Sequence, residues 1–181
     1  LLEIKDIKVG TPLNKKISGG QRKRLNIALE LIREPSVLFV DEPTSGLSSR
    51  DSENVMDLLK ELSTQMKLIF VVIHQPSSDI FKMFDKLFIM DTGGYPIYYG
   101  NPIEAVMYFK QVTKQINAEV GECPVCGNVN PELLFNIIES KEVDDFGQFT
   151  RQRIKNPVEW NELFVQNFTP KEIEEVKTIP P

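Results

Sequence analysis

The sequence predicts an α/β domain of parallel strands with flanking helices, ending in a hairpin and followed by a mostly helical tail. Three observations carry this expectation. The short continuous apolar runs Val37–Val40 and Leu68–Ile73 have the pattern of strands covered on both faces of a parallel sheet. Stretches with apolar residues at helical spacing precede and separate them, which is the strand–helix grammar of α/β folds. From Asn101 onward the pattern changes to helices opened by Asn-Pro or Thr-Pro pairs, a cap followed by proline at the first helical position.

The elements follow in order. A turn at Gly10-Thr11-Pro12 comes first, and Ile17-Ser18-Gly19-Gly20-Gln21 then leads into a helix with Leu25, Ala28, Leu29 and Ile32 on one face. Pro35 ends that helix, because the residue before a proline is pushed out of the helical region. The first apolar strand runs out into Asp41-Glu42-Pro43. Ser48 is placed to cap a second helix with Val55, Leu58, Leu59, Leu62 and Met66 on its buried side. The second strand closes on His74, a short helix over about 77–84 follows, and Lys86–Met90 is a third strand. Thr92-Gly93-Gly94 turns it into Tyr95–Tyr99 as a hairpin. Tail helices are expected after Asn101-Pro102, Asn130-Pro131, Asn156-Pro157 and Thr169-Pro170. The α/β part is assigned to residues 1–109 and the tail to 110–181.

Composition narrows the function classes. The 181 residues carry 21 Lys and Arg against 26 Asp and Glu, with 41% hydrophobic and 26% charged residues. A disordered chain with that apolar content is excluded. The longest apolar run is far shorter than the roughly 20 residues of a membrane span. A net charge of −5 disfavours non-specific nucleic-acid binding. Neither a secretory leader nor a disulfide scaffold is legible, and the Cys-x-x-Cys spacing fits a reducing compartment. The chain begins Leu1-Leu2-Glu3, which suggests a piece of a longer polypeptide.

Three segments can carry chemistry. Asp41-Glu42 stands where an apolar strand ends, the edge at which open parallel sheets bind ligands. Adjacent carboxylates there can divide labour, one holding Mg²⁺ through water and the other acting as general base; the bland alternative is a solvated acidic loop. His74 ends the next strand, where an imidazole can donate to a phosphate oxygen or orient water, or serve only as a hydrogen-bonded structural residue. Ser18-Gly19-Gly20-Gln21 opens a helix, where unpaired N–H groups make an anion site, strengthened by Arg22-Lys23-Arg24; a plain glycine turn is the alternative.

In order and spacing, Ile17–Arg24, Val37–Leu47 and Val72–Ser77 resemble the ATP-binding cassette ATPases. The resemblance covers about residues 10–109. Arg22-Lys23-Arg24, Ile73-His74-Gln75-Pro76-Ser77, Tyr98-Tyr99-Gly100-Asn101 and Asn130-Pro131-Glu132-Leu133-Leu134-Phe135 are similar to the G subfamily, the pigment, lipid or multidrug half-transporters. The resemblance implies the C-terminal portion of a P-loop NTPase-like domain that hydrolyses ATP to power transport, at the interface of two head-to-tail nucleotide-binding domains. Ser18, Gly19, Gly20 and Gln21 are then the signature loop, acting in trans on ATP held by the partner domain. Asp41 is the Walker B carboxylate for Mg²⁺, Glu42 polarises the attacking water, and His74 is the switch histidine. Ser45, Gly46, Leu47 and Ser48 form the loop between the two sites. The implied partners are a second nucleotide-binding domain and a transmembrane domain, with the chain at the cytoplasmic face of a membrane and no nucleic acid involved.

Two departures from the family pattern stand out. Ser48 occupies the position where the family usually has Asp, and the next carboxylate is Asp51. No Gly-x-x-x-x-Gly-Lys-Ser/Thr occurs, so nothing in the chain cradles the β- and γ-phosphates in cis. The chain therefore reads as the second half of such a domain, and by itself is expected to bind ATP poorly and to lack ATPase activity. Cys123-Pro124-Val125-Cys126-Gly127 has the spacing of half a zinc knuckle, which plain reduced thiols share. The competing readings are a soluble ATPase of the same type acting on ribosomes or DNA, and a degenerate zinc-knuckle interaction module.

Overall fold

The computed structural model describes residues 5–11, 14–144 and 146–168. The chain divides into two compact units, Leu1–Pro76 and Ser77–Pro181. The Thr169-Pro170 pair lies outside the described residues.

In the first unit, β1 (Gly10–Thr11) and β2 (Asn14–Lys15) form a two-residue antiparallel ribbon. Helix α1 (Gly19–Leu31) follows, then β3 (Val37–Asp41), α2 (Ser49–Thr64) and β4 (Leu68–Val72). β3 and β4 pair in parallel, with Val37 opposite Leu68 and Asp41 opposite Val72. The α2 crossover makes this a βαβ unit, and α2 buries Val55, Met56, Leu59 and Leu62. Its Ser48 cap is as expected, the hydroxyl accepting from the Asp51 N–H at 3.2 Å.

Three expectations fail here. Met66 is 94% exposed, because α2 ends at Thr64 and Met66 turns the chain in a left-handed conformation (φ 64°). On α1 the buried apolar side chain is Ile27, whereas Leu29 and Ile32 are exposed. The strands are also covered on one face only. Leu38 is buried, while Val37, Phe39, Leu68, Phe70 and Val72 line an exposed face on which the Phe39 and Phe70 rings stack at 4.8 Å. An unbroken apolar run signals that both faces suit burial; it cannot supply the second layer.

The second unit begins with α3 (Ser78–Lys82), followed by β5 (Leu87–Asp91) and β6 (Tyr95–Gly100). These strands form the expected hairpin, turned by Gly93 and Gly94 at positive φ, with a register shift between Ile89 and Met90. Among the described residues β5 pairs only with β6, so the parallel sheet stops at two strands. Helix α4 (Pro102–Val112) carries the Asn101 cap, whose Oδ1 accepts from the Ile103 N–H at 2.8 Å.

Two further helices, α5 (Glu132–Ile138) and α6 (Pro157–Phe168), complete the core. Ile97, Ala105, Val106, Phe109, Leu134, Ile137 and Trp160 are buried together, and the Phe109 and Trp160 rings meet edge-on at 5.2 Å. Asn161 Nδ2 of α6 donates to the Pro96 carbonyl of β6 at 2.7 Å.

The tail is not simply helical. β7 (Lys141–Val143) and β8 (Phe149–Arg153) form an antiparallel hairpin between α5 and α6. Its turn is held by Asp144 Oδ1, which accepts from the Phe146 and Gln148 N–H groups, with Gly147 at φ 77°. Both strands are largely exposed and show no apolar alternation, so periodicity could not reveal them. Arg153 anchors the hairpin, reaching the Asp91 carboxylate with Nη1 at 2.8 and 3.0 Å.

Candidate functional site

The first unit contains the residues singled out for phosphate chemistry. Asp41 is the last residue of β3 and lies opposite Val72. One residue on, the Glu42 N–H donates to the Val72 carbonyl at 2.8 Å, which extends the ladder to the tip of β4. His74 lies two residues beyond Val72, so the parallel pairing brings Asp41, Glu42 and His74 to one rim of the sheet. Their side chains are exposed there. Each strand is followed by a residue in the left-handed region, Glu42 at φ 41° and Gln75 at φ 45°. Non-glycine residues held in that region carry strain of about 1–3 kcal/mol, which concentrates at functional sites.

The loop after Glu42 is tightly tied. Pro43 is buried, the Glu42 carbonyl accepts from the Ser45 N–H at 3.2 Å, and the Thr44 carbonyl accepts from the Leu47 N–H at 3.2 Å. Gly46, at φ 70°, supplies the backbone reversal that a side chain would resist. Ser45, Gly46 and Ser48 are exposed, and Leu47 is half-buried.

Helix α1 brings the Ser-Gly-Gly-Gln segment to that loop. Ser18 and Gln21 form a reciprocal capping box, Ser18 N–H to Gln21 Oε1 at 2.8 Å and Gln21 N–H to Ser18 Oγ at 3.2 Å. The two glycines have a packing reason as well as an electrostatic one. A Cβ at Gly20 would stand 2.5 Å from Asp51 Oδ1, and one at Gly19 would stand 3.2 Å from Leu47 Cδ2. Lys23 Nζ donates to the Glu42 carbonyl at 3.0 Å, and Arg24 Nη1 lies 3.9 Å from Asp51 Oδ1. Lys23 and Arg24 therefore brace the cluster instead of simply raising its potential.

Asp51 is the residue that sequence reasoning undervalued. It receives the Ser48 hydroxyl at 3.1 Å, faces Arg24 and closes over Gly20. The signal was present as a carboxylate in the first turn of α2, three residues after a serine cap.

The cysteines lie in the second unit. Cys123 is half-buried and Cys126 exposed. The Gly127 N–H donates to the Cys123 carbonyl at 2.7 Å, and the Cys123 N–H donates to the Asn128 carbonyl at 2.8 Å. Hydrogen bonds to the Cys123 sulfur from the backbone of Cys126 and Val125 hold its thiol below the usual range. Among the described residues no group of three or more His, Cys, Asp or Glu could hold a metal ion, so the zinc reading finds no further ligands.

Comparison with known proteins adds to this geometry. Residues 1–45 match the family model described as ABC transporter, and residues 74–160 match the one described as ABC-2 type transporter. The broad substrate specificity ATP-binding cassette transporter ABCG2 of Sus scrofa is 46% identical over 110 residues, 61% of this chain and 17% of that protein. ABC transporter G family member 43 of Arabidopsis thaliana is 39% identical over 149 residues, 80% of this chain and 10% of that protein. Among solved structures, MJ1267, an ATP-binding cassette of an ABC transporter in its ADP conformation, aligns with a TM-score of 0.48 at 24% identity, over 55% of this chain and 39% of that one. The chain thus spans only a small part of the curated relatives that it matches. No helix among the described residues is long and apolar enough to cross a membrane. The family match over residues 1–45 and the two G-type relatives fit the motif order, so the chain carries sequence similar to that of G-type ABC transporters.

Proposed function

We propose that this chain is part of the ATP-hydrolysing machinery of a transporter, working at the cytoplasmic face of a membrane with a second nucleotide-binding domain and a transmembrane domain. The observation that supports it best is the shared rim: Asp41 at the end of β3 with Glu42 next to it, His74 beyond β4, and the Glu42 N–H on the Val72 carbonyl at 2.8 Å.

Phosphoryl transfer needs positioning and charge stabilisation more than covalent chemistry. In this reading Glu42 orients and polarises the attacking water, and His74 donates a hydrogen bond to the γ-phosphate. Asp41 would hold Mg²⁺ through water; an exposed carboxylate at a strand end suits a hard cation that keeps several of its waters. Bound Mg²⁺ would supply charge neutralisation on the phosphate oxygens. Ser18, Gly19, Gly20 and Gln21 face ATP held by the partner domain, and Ser45–Ser48 links the two sites. Residues 1–109 form the catalytic portion, and residues 110–181 lead towards the membrane domain.

The test is Glu42→Gln in the complete transporter. ATP turnover falls by roughly 10²–10⁴, the usual worth of a positioned base, with ATP binding retained. An unchanged rate would remove Glu42 from the reaction. The 181-residue chain by itself is expected to show no ATPase activity in the same assay.

A further inference from the structure

The Cys123–Cys126 segment is unused by the phosphate chemistry, yet it is built with care. Gly127, at φ 67°, closes the turn by donating to the Cys123 carbonyl. A second layer of contacts fixes the turn to α3: Lys82 Nζ donates to the Gly127 carbonyl, and the Val129 N–H donates to Ser78 Oγ at 2.9 Å. Lys82 is also 3.7 Å from Glu122. Inside the turn, the Cys123 sulfur accepts from the Val125 and Cys126 N–H groups and shares a side-chain hydrogen bond with the Cys126 thiol.

We propose that Cys123 and Cys126 are a dithiol site that exchanges with small-molecule disulfides of the glutathione class and closes an intrachain disulfide. A tight turn brings residues three apart to within about 7 Å between Cα atoms, close to the roughly 4.4–6.8 Å that a disulfide spans. The N–H groups aimed at the Cys123 sulfur favour its thiolate as the first nucleophile. That thiolate attacks one sulfur of the disulfide, the S–S bond breaks and one thiolate leaves. The Cys126 thiol then gives up its proton and attacks the Cys123 sulfur of the mixed disulfide, expelling the second thiolate. Two electrons pass from the protein to the small disulfide, and two thiols are released. Nothing outside the turn is needed, whereas a zinc site needs two further ligands that the described residues do not gather.

The test equilibrates the reduced full chain in mixtures of reduced and oxidised glutathione, alkylates the remaining thiols and reads peptides by mass spectrometry. Both cysteines lose alkylation together and one peptide loses two hydrogens, in conditions about tenfold more reducing than the same chain requires in urea. In Cys126→Ser the reaction stops with glutathione on Cys123, and Cys123→Ser reacts more slowly. Equal midpoints in buffer and urea, disulfides only between chains, or no adduct on Cys123 in Cys126→Ser would overturn the proposal. Zinc alone, added first and binding at one metal per two chains with both thiols protected, would also overturn it and assign the pair to a shared metal.

Discussion

The two units divide structure and chemistry unequally. The second unit encloses a core in which Ile97, Ala105 and Phe109 have no exposed surface and Trp160 has 1%. The first unit carries the candidate phosphate-chemistry residues but leaves one face of its parallel pair open, with Phe39 at 75% exposure. Burial of apolar surface is worth about 25 cal/mol per Å², so the second unit has its own source of stability. The first is held largely by one side of α2 and by polar ties around Gly20, Glu42 and Asp51. In the proposed reading the rim residues meet phosphate and water and so stay open, and an open rim contributes little burial.

Changes that reverse this division test it. Phe109→Ala, which empties the centre of the second unit, costs about 3–5 kcal/mol, read as a lower denaturant midpoint. If the midpoint is unchanged, the second unit is not the stable one. Gly20→Ala acts on the first unit. Helix propensity gains up to about 1 kcal/mol, against about 1–3 kcal/mol for forcing a methyl group onto Asp51. The net effect is destabilising, and hydrogen exchange speeds up in α1 and the start of α2. Slower exchange there would mean that the glycine is not required by packing. Phe39→Thr, on the open face, costs about 0.5–1.5 kcal/mol, the worth of the Phe39–Phe70 stack, and lowers aggregation. A loss as large as that from Phe109→Ala would show the face to be covered in solution.

Much of the fold was legible because local signals agreed with tertiary need. Ser48 and Asn101 are caps whose side chains meet their own backbone, so no distant contact has to be known. The β5–β6 hairpin was announced by Gly93-Gly94, which tolerate the positive φ of its turn. The β7–β8 hairpin was missed because its exposed strands carry mixed polar residues and its anchor is a pair distant in sequence, Arg153 to Asp91. For the candidate site, residue types and order were readable, and so was their convergence at adjacent strand ends. The role of Asp51 was not, because it depends on α1 lying against the start of α2.

The sequence by itself determined the α/β character, the positions of α2, α4 and the parallel pair, and the motif order that resembles the ATP-binding cassette ATPases. These follow from periodicity, caps and turn chemistry, which act within a few residues. Only the tertiary structure decided that Gly20 is required by a neighbouring carboxylate, that Lys23 and Arg24 are bracing groups, and that one strand face stays bare. Those outcomes depend on which surfaces meet, and residues far apart in the chain settle that together.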